Sequence, residues 1–235
     1  MGLLKKIRRN VLNIPDGLEK LVALLAHHNV DCVLDIGANQ GQYSQSLRRA
    51  GYNNTIISFE PLSSMHDLLE PLSKSDVNWH IHERTCVGDE VGEVEINVSN
   101  STDMSSILEI EADTLTALPK SNYVGKEKVA ITTVAEVFGT YSSKYKNIFM
   151  KVDTQGFEWE VLQGAKKILP QLTGIQLELS LFSLYENEKT FEEITAWLKD
   201  QGFDPILVIP GYFSKKLMKQ LQIDIIFIRK DLLEN

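Results

Sequence analysis

Short β-branched runs alternate with stretches of helical periodicity along most of this chain, and the alternation limits the folds open to it. Val30–Ile36 ends at a glycine, Gln42–Ala50 reads as a helix closed by Gly51, and Thr55–Phe59 is a second strand. Pro61 follows, Met65–Leu72 is helix-like, and Val77–His82 is a third strand. A β-α-β-α-β order requires parallel strands with helices on the faces of the sheet. Alternation resumes later, with a strand at Ile148–Val152, a helix at Glu158–Ile168 and a strand at Ile175–Leu179. Thr190–Gln201 is amphipathic, with Phe191, Ile194 and Leu198 on one face and Gly202 closing it. Pro205–Ile209 and Asp224–Ile228 end the pattern. About a dozen residues, including a Pro210-Gly211 turn, join them, too few for a comfortable helical crossover, so this pair is predicted antiparallel.

The middle breaks the alternation. Asp89-Glu90-Val91-Gly92 lies between Thr85–Gly88 and Glu93–Val98 and predicts a hairpin. Asn100–Lys128 is irregular and rich in Ser, Thr and acids, as functional covers or disordered insertions are. Val129–Thr133 and Val134–Tyr141 then read as a strand and a short helix. The expected fold class is therefore α/β with a hairpin or insertion around 83–128.

The turn after the first strand carries chemistry. Val33-Leu34-Asp35-Ile36-Gly37-Ala38-Asn39-Gln40-Gly41 runs from strand through glycines into a helix, whose first N–H groups are free. A pyrophosphate cradle would need glycine where Asn39 and Gln42 stand, and the chain has no GxxxxGK[ST] segment. Asp35 opposes phosphate and favours a cation or hydroxyls. Glu60 ends the second strand, where a carboxylate accepts hydrogen bonds from ribose hydroxyls; its bland reading is a solvated acid before a proline. Two such acids suit a nucleoside that carries an amino acid and no phosphate, as S-adenosylmethionine does.

Four segments in order, LDIGANQGQYS (Leu34–Ser44), SFEP (Ser58–Pro61), VGDEVGEVE (Val87–Glu95) and MKVDTQGFEWEVLQGA (Met150–Ala165), resemble the FkbM family of S-adenosylmethionine-dependent methyltransferases. The resemblance spans about Val30 to Glu178, and the last run is its most specific part. It implies the Rossmann-like class I methyltransferase fold, a mostly parallel seven-stranded sheet with an antiparallel last strand. It divides the chain into an N-terminal helical segment, 1–29, and a methyltransferase domain, 30–235. It implies that Asp35, Gly37, Ala38, Asn39 and Gly41 form the methionine side of the cofactor site, that Glu60 holds the ribose, and that Thr85 and Cys86 lie near the adenine. Asp153 would face the methyl group and acceptor, with Gln155, Glu158 and Glu178 at the same rim. The chain departs from the family at Thr133-Val134-Ala135, where the acid moves to Glu136, and at Gln155, which replaces an acid.

Methyl transfer requires alignment of donor and acceptor, exclusion of water and removal of a proton from an oxygen acceptor. Asp153 is the candidate for the last task, and capping of the helix that begins near Glu158 is its plain alternative. His80 and His82 share a strand face without a fitting third ligand, so no metal site is expected. His27 and His28 read as helix-end charges, and Trp79, Trp159 and Trp197 as packing. The resemblance implies O-methylation of a hydroxyl on a sugar, glycan or secondary metabolite. The competing reading is a non-catalytic S-adenosylmethionine-binding module, resting on Ala135. An NAD-dependent oxidoreductase lacks its glycines here.

Composition sets the remaining bounds. A net charge of −8 and an isoelectric point near 5.2 argue against gripping nucleic acid, and 43% hydrophobic residues make a globular domain. Cys32 and Cys86 fit a reducing compartment, and with no membrane-length apolar run a cytoplasmic chain is expected. Residues 1–12 carry Lys5, Lys6, Arg8 and Arg9 without an acid, with Leu3, Leu4, Ile7, Val11 and Leu12 at helical spacing. They read either as a weak membrane or partner contact or as a helix docked on the domain.

Overall fold

The computed structural model describes residues 17–101, 104–117 and 121–233. The basic stretch 1–12 lies outside them. The strands in chain order begin β1 (Cys32–Ile36), β2 (Thr55–Phe59), β3 (Trp79–Ile81), β4 (Cys86–Gly88), β5 (Gly92–Ser99) and β6 (Tyr123–Thr133). They continue with β7 (Ile148–Val152), β8 (Leu172–Ser180), β9 (Phe203–Pro210), β10 (Phe213–Ser214), β11 (Lys219–Gln220) and β12 (Gln222–Arg229). The helices are α1 (Leu18–His27), α2 (Gln42–Ala50), α3 (Ser63–Lys74), α4 (Ala112–Ala117), α5 (Val134–Ser142), α6 (Glu158–Ala165) and α7 (Phe191–Asp200).

Seven strands form one sheet in the order β3-β2-β1-β7-β8-β12-β9. β1, β2, β3, β7 and β8 run parallel, and β12 enters between β8 and β9 antiparallel to both. β1, β2 and β7 are buried at every position, as strands covered on both faces must be. Period-two alternation sorts their side chains. Cys32, Leu34 and Ile36 of β1 join Ile148, Met150 and Val152 of β7 in a core closed by α5, α6 and α7. Val33 and Phe149 point to the other core, where α1 contributes Leu18, Leu21 and Leu25, α2 Leu47 and α3 Leu69. Asp35 and Lys151 follow in the same alternation, so two charged residues stand on that face side by side in register.

The predicted hairpin between Thr85–Gly88 and Glu93–Val98 does not form. β4 and β5 instead flank β6, parallel on one side and antiparallel on the other. The Asp89–Val91 link therefore passes from one edge of β6 to the other. β6 takes Tyr123–Lys128 from the stretch that reads as irregular, and α4 takes Ala112–Ala117. The resulting small sheet packs on α6, and Cys86, Val87 and Ile96 from it line a cleft with Ile36 of β1 and Phe59 of β2.

That packing is tight at Gly164, where a Cβ would lie 1.9 Å from the Gly88 carbonyl oxygen. Gly139 in α5 has nothing within 4 Å of the same position. Gly164→Ala is thus expected to destabilise the fold by about 1–3 kcal/mol, and Gly139→Ala to stabilise it by about 0.5–1 kcal/mol. Urea unfolding of the two variants checks the opposite signs.

Candidate active site

The carboxyl ends of the parallel strands open onto a cleft whose empty space, continuous with solvent, is about 720 Å³. Gly37, Asn39, Glu60, Thr85 and Cys86 line one part, and Asp153 and Gln155 another. Ile96 of β5 and Ser105, Ser106 and Ile107 of the insertion complete the wall. Asp35, Ala38, Gly41, Glu158 and Glu178 do not reach the cleft surface. They stand behind it.

Asp35 is fully buried and held from several elements. Its Oδ2 accepts hydrogen bonds from Ser44 (2.8 Å) and Ser58 (3.2 Å), and Trp79 Nε1 donates to that serine's Oγ at 3.0 Å. Its Oδ1 faces the Lys151 ammonium at 3.2 Å. Lys151 also meets Asp153 Oδ2 at 3.4 Å and donates to the Gly37 carbonyl at 2.9 Å. Burial opposes the charge on Lys151, but Asp153 and Asp35 outweigh it and hold the ammonium protonated. Lys151 is absent from the sequence-predicted site; its signal is a lysine inside the buried run Ile148–Val152.

Glu60 is buried, and its two oxygens accept from the Asn39 amide (2.7 Å) and the Leu62 amide (2.8 Å). Burial pushes its pKa up to about 7 despite these bonds. The carboxylate still has lone pairs for further donors. Asn39 has a left-handed backbone, φ 48°, and its buried Oδ1 has no partner among the described residues. These groups fit a hydroxyl- and amine-bearing ligand such as S-adenosylmethionine. The Thr85 hydroxyl is spent on the Cys86 and Ala130 carbonyls, and burial pushes the Cys86 thiol up to about 12, so it stays protonated.

Gln155 sits at φ 57°, a costly conformation for this residue type. Its Nε2 donates to both Asp153 Oδ1 (2.7 Å) and Glu178 Oε2 (2.8 Å), and its Oε1 accepts from Tyr185 (3.0 Å). The Ser106 hydroxyl donates to its carbonyl at 2.6 Å. Glu158 closes the loop from below by accepting from the Thr154 and Gly156 amides at 2.7 and 3.0 Å. The amides before α6 thus go to Glu158, and Asp153 is left to Lys151, Gln155 and the cleft. Burial raises Glu158 to about 7 and Asp224 to about 6, and lifts Glu178 well above its ordinary value, with Asp153 adding to it. Gln222 also donates to Glu178, and Gln176 bridges Tyr43 and Asp224. His82, whose Nδ1 pairs with the Tyr141 hydroxyl at 2.9 Å, lies outside the cleft lining.

The sequence profile of the methyltransferase FkbM domain matches residues 35–205. No curated protein matches the sequence. Among solved structures, the methyltransferase FkbM from Methylobacillus flagellatus KT superposes with a TM-score of 0.52 at 12% identity. That match covers 83% of this chain and 43% of the other, so the chain spans less than half of that protein. The magnesium protoporphyrin IX methyltransferase from Synechocystis PCC 6803, solved with bound SAM, gives 0.46 at 12% identity, covering 90% and 77%. The Methanococcus jannaschii fibrillarin pre-rRNA processing protein gives 0.47 at 13%, covering 86% and 67%. The first of these shows a shared fold.

Two expectations follow from the charges. Lys151→Met strands Asp35 out of water and is expected to cost about 3–5 kcal/mol, part of which Asp35→Asn restores in the double variant. A double-mutant cycle by chemical denaturation measures the coupling. Glu158 and Asp224 have folded-state pKa values above their ordinary ones, so the folded protein binds more protons than the unfolded chain. Their contribution is greatest at acid pH and falls as pH rises through about 7. Melting temperature should drop between about pH 5 and 8, and less steeply in Glu158→Gln.

Proposed function

The chain belongs to the FkbM methyltransferase domain family, and on that premise we propose that it methylates a hydroxyl oxygen of a sugar, glycan or secondary metabolite. S-adenosylmethionine supplies a methyl group already activated on a sulfonium. Glu60 and Asn39 are placed to hold the donor's hydroxyl and amino groups, and the apolar wall around Cys86, Val87 and Ile96 to take its base. The observation that carries the reading is Asp153: a carboxylate on the cleft wall, fixed by Lys151 and Gln155 and relieved of helix capping by Glu158.

Asp153 orients the acceptor hydroxyl and receives its proton. Lys151 pairs with one oxygen of the carboxylate at the cleft wall, while Gln155 fixes the other. Ile96 of β5 and Ile107 of the insertion give the cleft apolar wall, with Ser105, Ser106 and Gln155 beside them. Ala135, on which the non-catalytic reading rests, packs against the main core, and the cleft lining does not include it.

Binding of S-adenosylhomocysteine, without binding of NAD, is the first outcome expected from calorimetry. Transfer of labelled methyl from S-adenosylmethionine to a panel of hydroxylated sugars and metabolites then tests the acceptor class. With an acceptor in hand, Asp153→Asn should lower single-turnover transfer by about 10²–10⁴-fold while donor affinity changes little. Retention of more than about a tenth of the activity would refute proton removal by this residue.

A further inference from the structure

Between β9 and β12 the chain leaves the main sheet as the β10–β11 hairpin, with Phe213 opposite Gln220 and Ser214 opposite Lys219. The turn is built, not loose: Ser214 is buried and its hydroxyl accepts from the Leu217 amide at 3.2 Å. The root is fixed by Leu221, whose amide donates to the Tyr212 carbonyl and whose own carbonyl accepts from Leu181. This order holds apolar side chains out in water. Tyr212 is 45% exposed, Phe213 43%, Leu217 40% and Met218 75%. Lys219 carries its ammonium 4.7 Å over the ring of Phe182, itself 48% exposed, which extends the patch.

The charge along this stretch of sequence runs against the rest of the molecule. From Pro205 to Ile223 the chain has Lys215, Lys216 and Lys219 and no acid, although its net charge is −8. The hairpin stands at the end of the sheet where the cleft opens. The residue after Leu221, Gln222, donates to Glu178, which Gln155 links to Asp153.

We propose that the β10–β11 hairpin docks the protein on an anionic lipid surface, with Phe213, Leu217 and Met218 entering the interface and Lys215 and Lys219 facing the headgroups. Large exposed apolar side chains collared by lysines gain from apolar burial and from the negative surface potential together. A stable protein partner covers roughly 800 Å² a side. A bilayer needs no such area, because each inserted side chain and each lysine adds its own contribution. Docking there brings the acceptor side of the cleft to the membrane surface. The inference concerns the hairpin and stands whether or not the acceptor is a hydroxyl.

Vesicle co-sedimentation of the full chain tests it. The chain should partition onto phosphatidylcholine vesicles containing phosphatidylserine, weakly onto phosphatidylcholine alone, and less as salt is raised. Lys215→Glu with Lys219→Glu should reduce partitioning by roughly thirtyfold or more. Phe213→Ser with Leu217→Ser should reduce it as well, with melting temperature and S-adenosylhomocysteine binding kept. Should the serine pair fail to fold, the charge pair alone decides. No partitioning by the parent chain overturns the proposal. So does parent-like partitioning of the folded variants, which would assign the contact elsewhere, the basic residues 1–12 included. Loss of self-association in the variants, without any lipid dependence, would make the hairpin a contact between copies and also overturn it.

Discussion

Asp35 and Lys151 face each other on adjacent parallel strands, both withdrawn from solvent, and the cleft is arranged around them. A buried ion pair is a poor source of net stability, because desolvation of both charges offsets their attraction. What it supplies is position. Two serines from β2 and α2 reach Asp35, and one of them passes the link on to Trp79 of β3. The ammonium holds the Gly37 carbonyl and faces Asp153. One buried cation thus fixes the glycine turn and the acid at the end of β7, the two elements that a donor and an acceptor would have to share.

The glycines of that turn serve the chain before they serve a ligand. Gly37 has φ 76°, and a Cβ there would lie 1.8 Å from the Asp153 carbonyl oxygen. Gly41 has the same φ, and its Cβ would meet the Trp79 ring at 2.7 Å. The ends of β1 and β7 approach closely only because Gly37 has no side chain, and the Lys151 contact to the Gly37 carbonyl requires that approach. A strand-to-helix glycine turn read as room for a ligand is also a condition of the packing behind the ligand site.

This difference explains what was legible in the sequence and what was not. Thr55–Phe59 and Ile148–Val152 could be read to the residue, because short β-branched runs buried on both faces carry an unmistakable pattern. The antiparallel β12 followed from the length of its connection. The small sheet did not, since Asp89–Gly92 carries the residues of a tight turn and no local signal shows that β6, thirty-odd residues on, separates the two flanking strands. Glu60 was legible as a cleft residue because it ends a strand, and Asp153 and Gln155 through the family resemblance. Asp35, Glu158 and Glu178 carried the same residue types in the same motifs yet lie one layer deeper. Depth is set by which way a strand's alternation points at its last residues, and by how the next loop folds back. Lys151 shows this best: it lies between Met150 and Val152 in a buried strand, and its partner is a carboxylate in register on the neighbouring strand, which no local signal reveals.

Gln155 stands between two acids. Asp153 and Glu178 both approach its side-chain amide, and Glu158 and Asp224 raise the negative potential further. A carboxylate at position 155 would place a third acid between the first two, with Lys151 already committed to Asp35 on its other side. An amide solves the problem with two N–H donors: it satisfies one oxygen of each acid and adds no charge. Burial meanwhile raises Glu178, Glu158 and Asp224, so the deep acids give up their protons less readily than ordinary carboxyls, while Asp153 stands at the cleft wall beside the ammonium. The side chains thus divide the work by depth. Carboxyls behind the wall tie loops together, and the one at the wall faces the cleft.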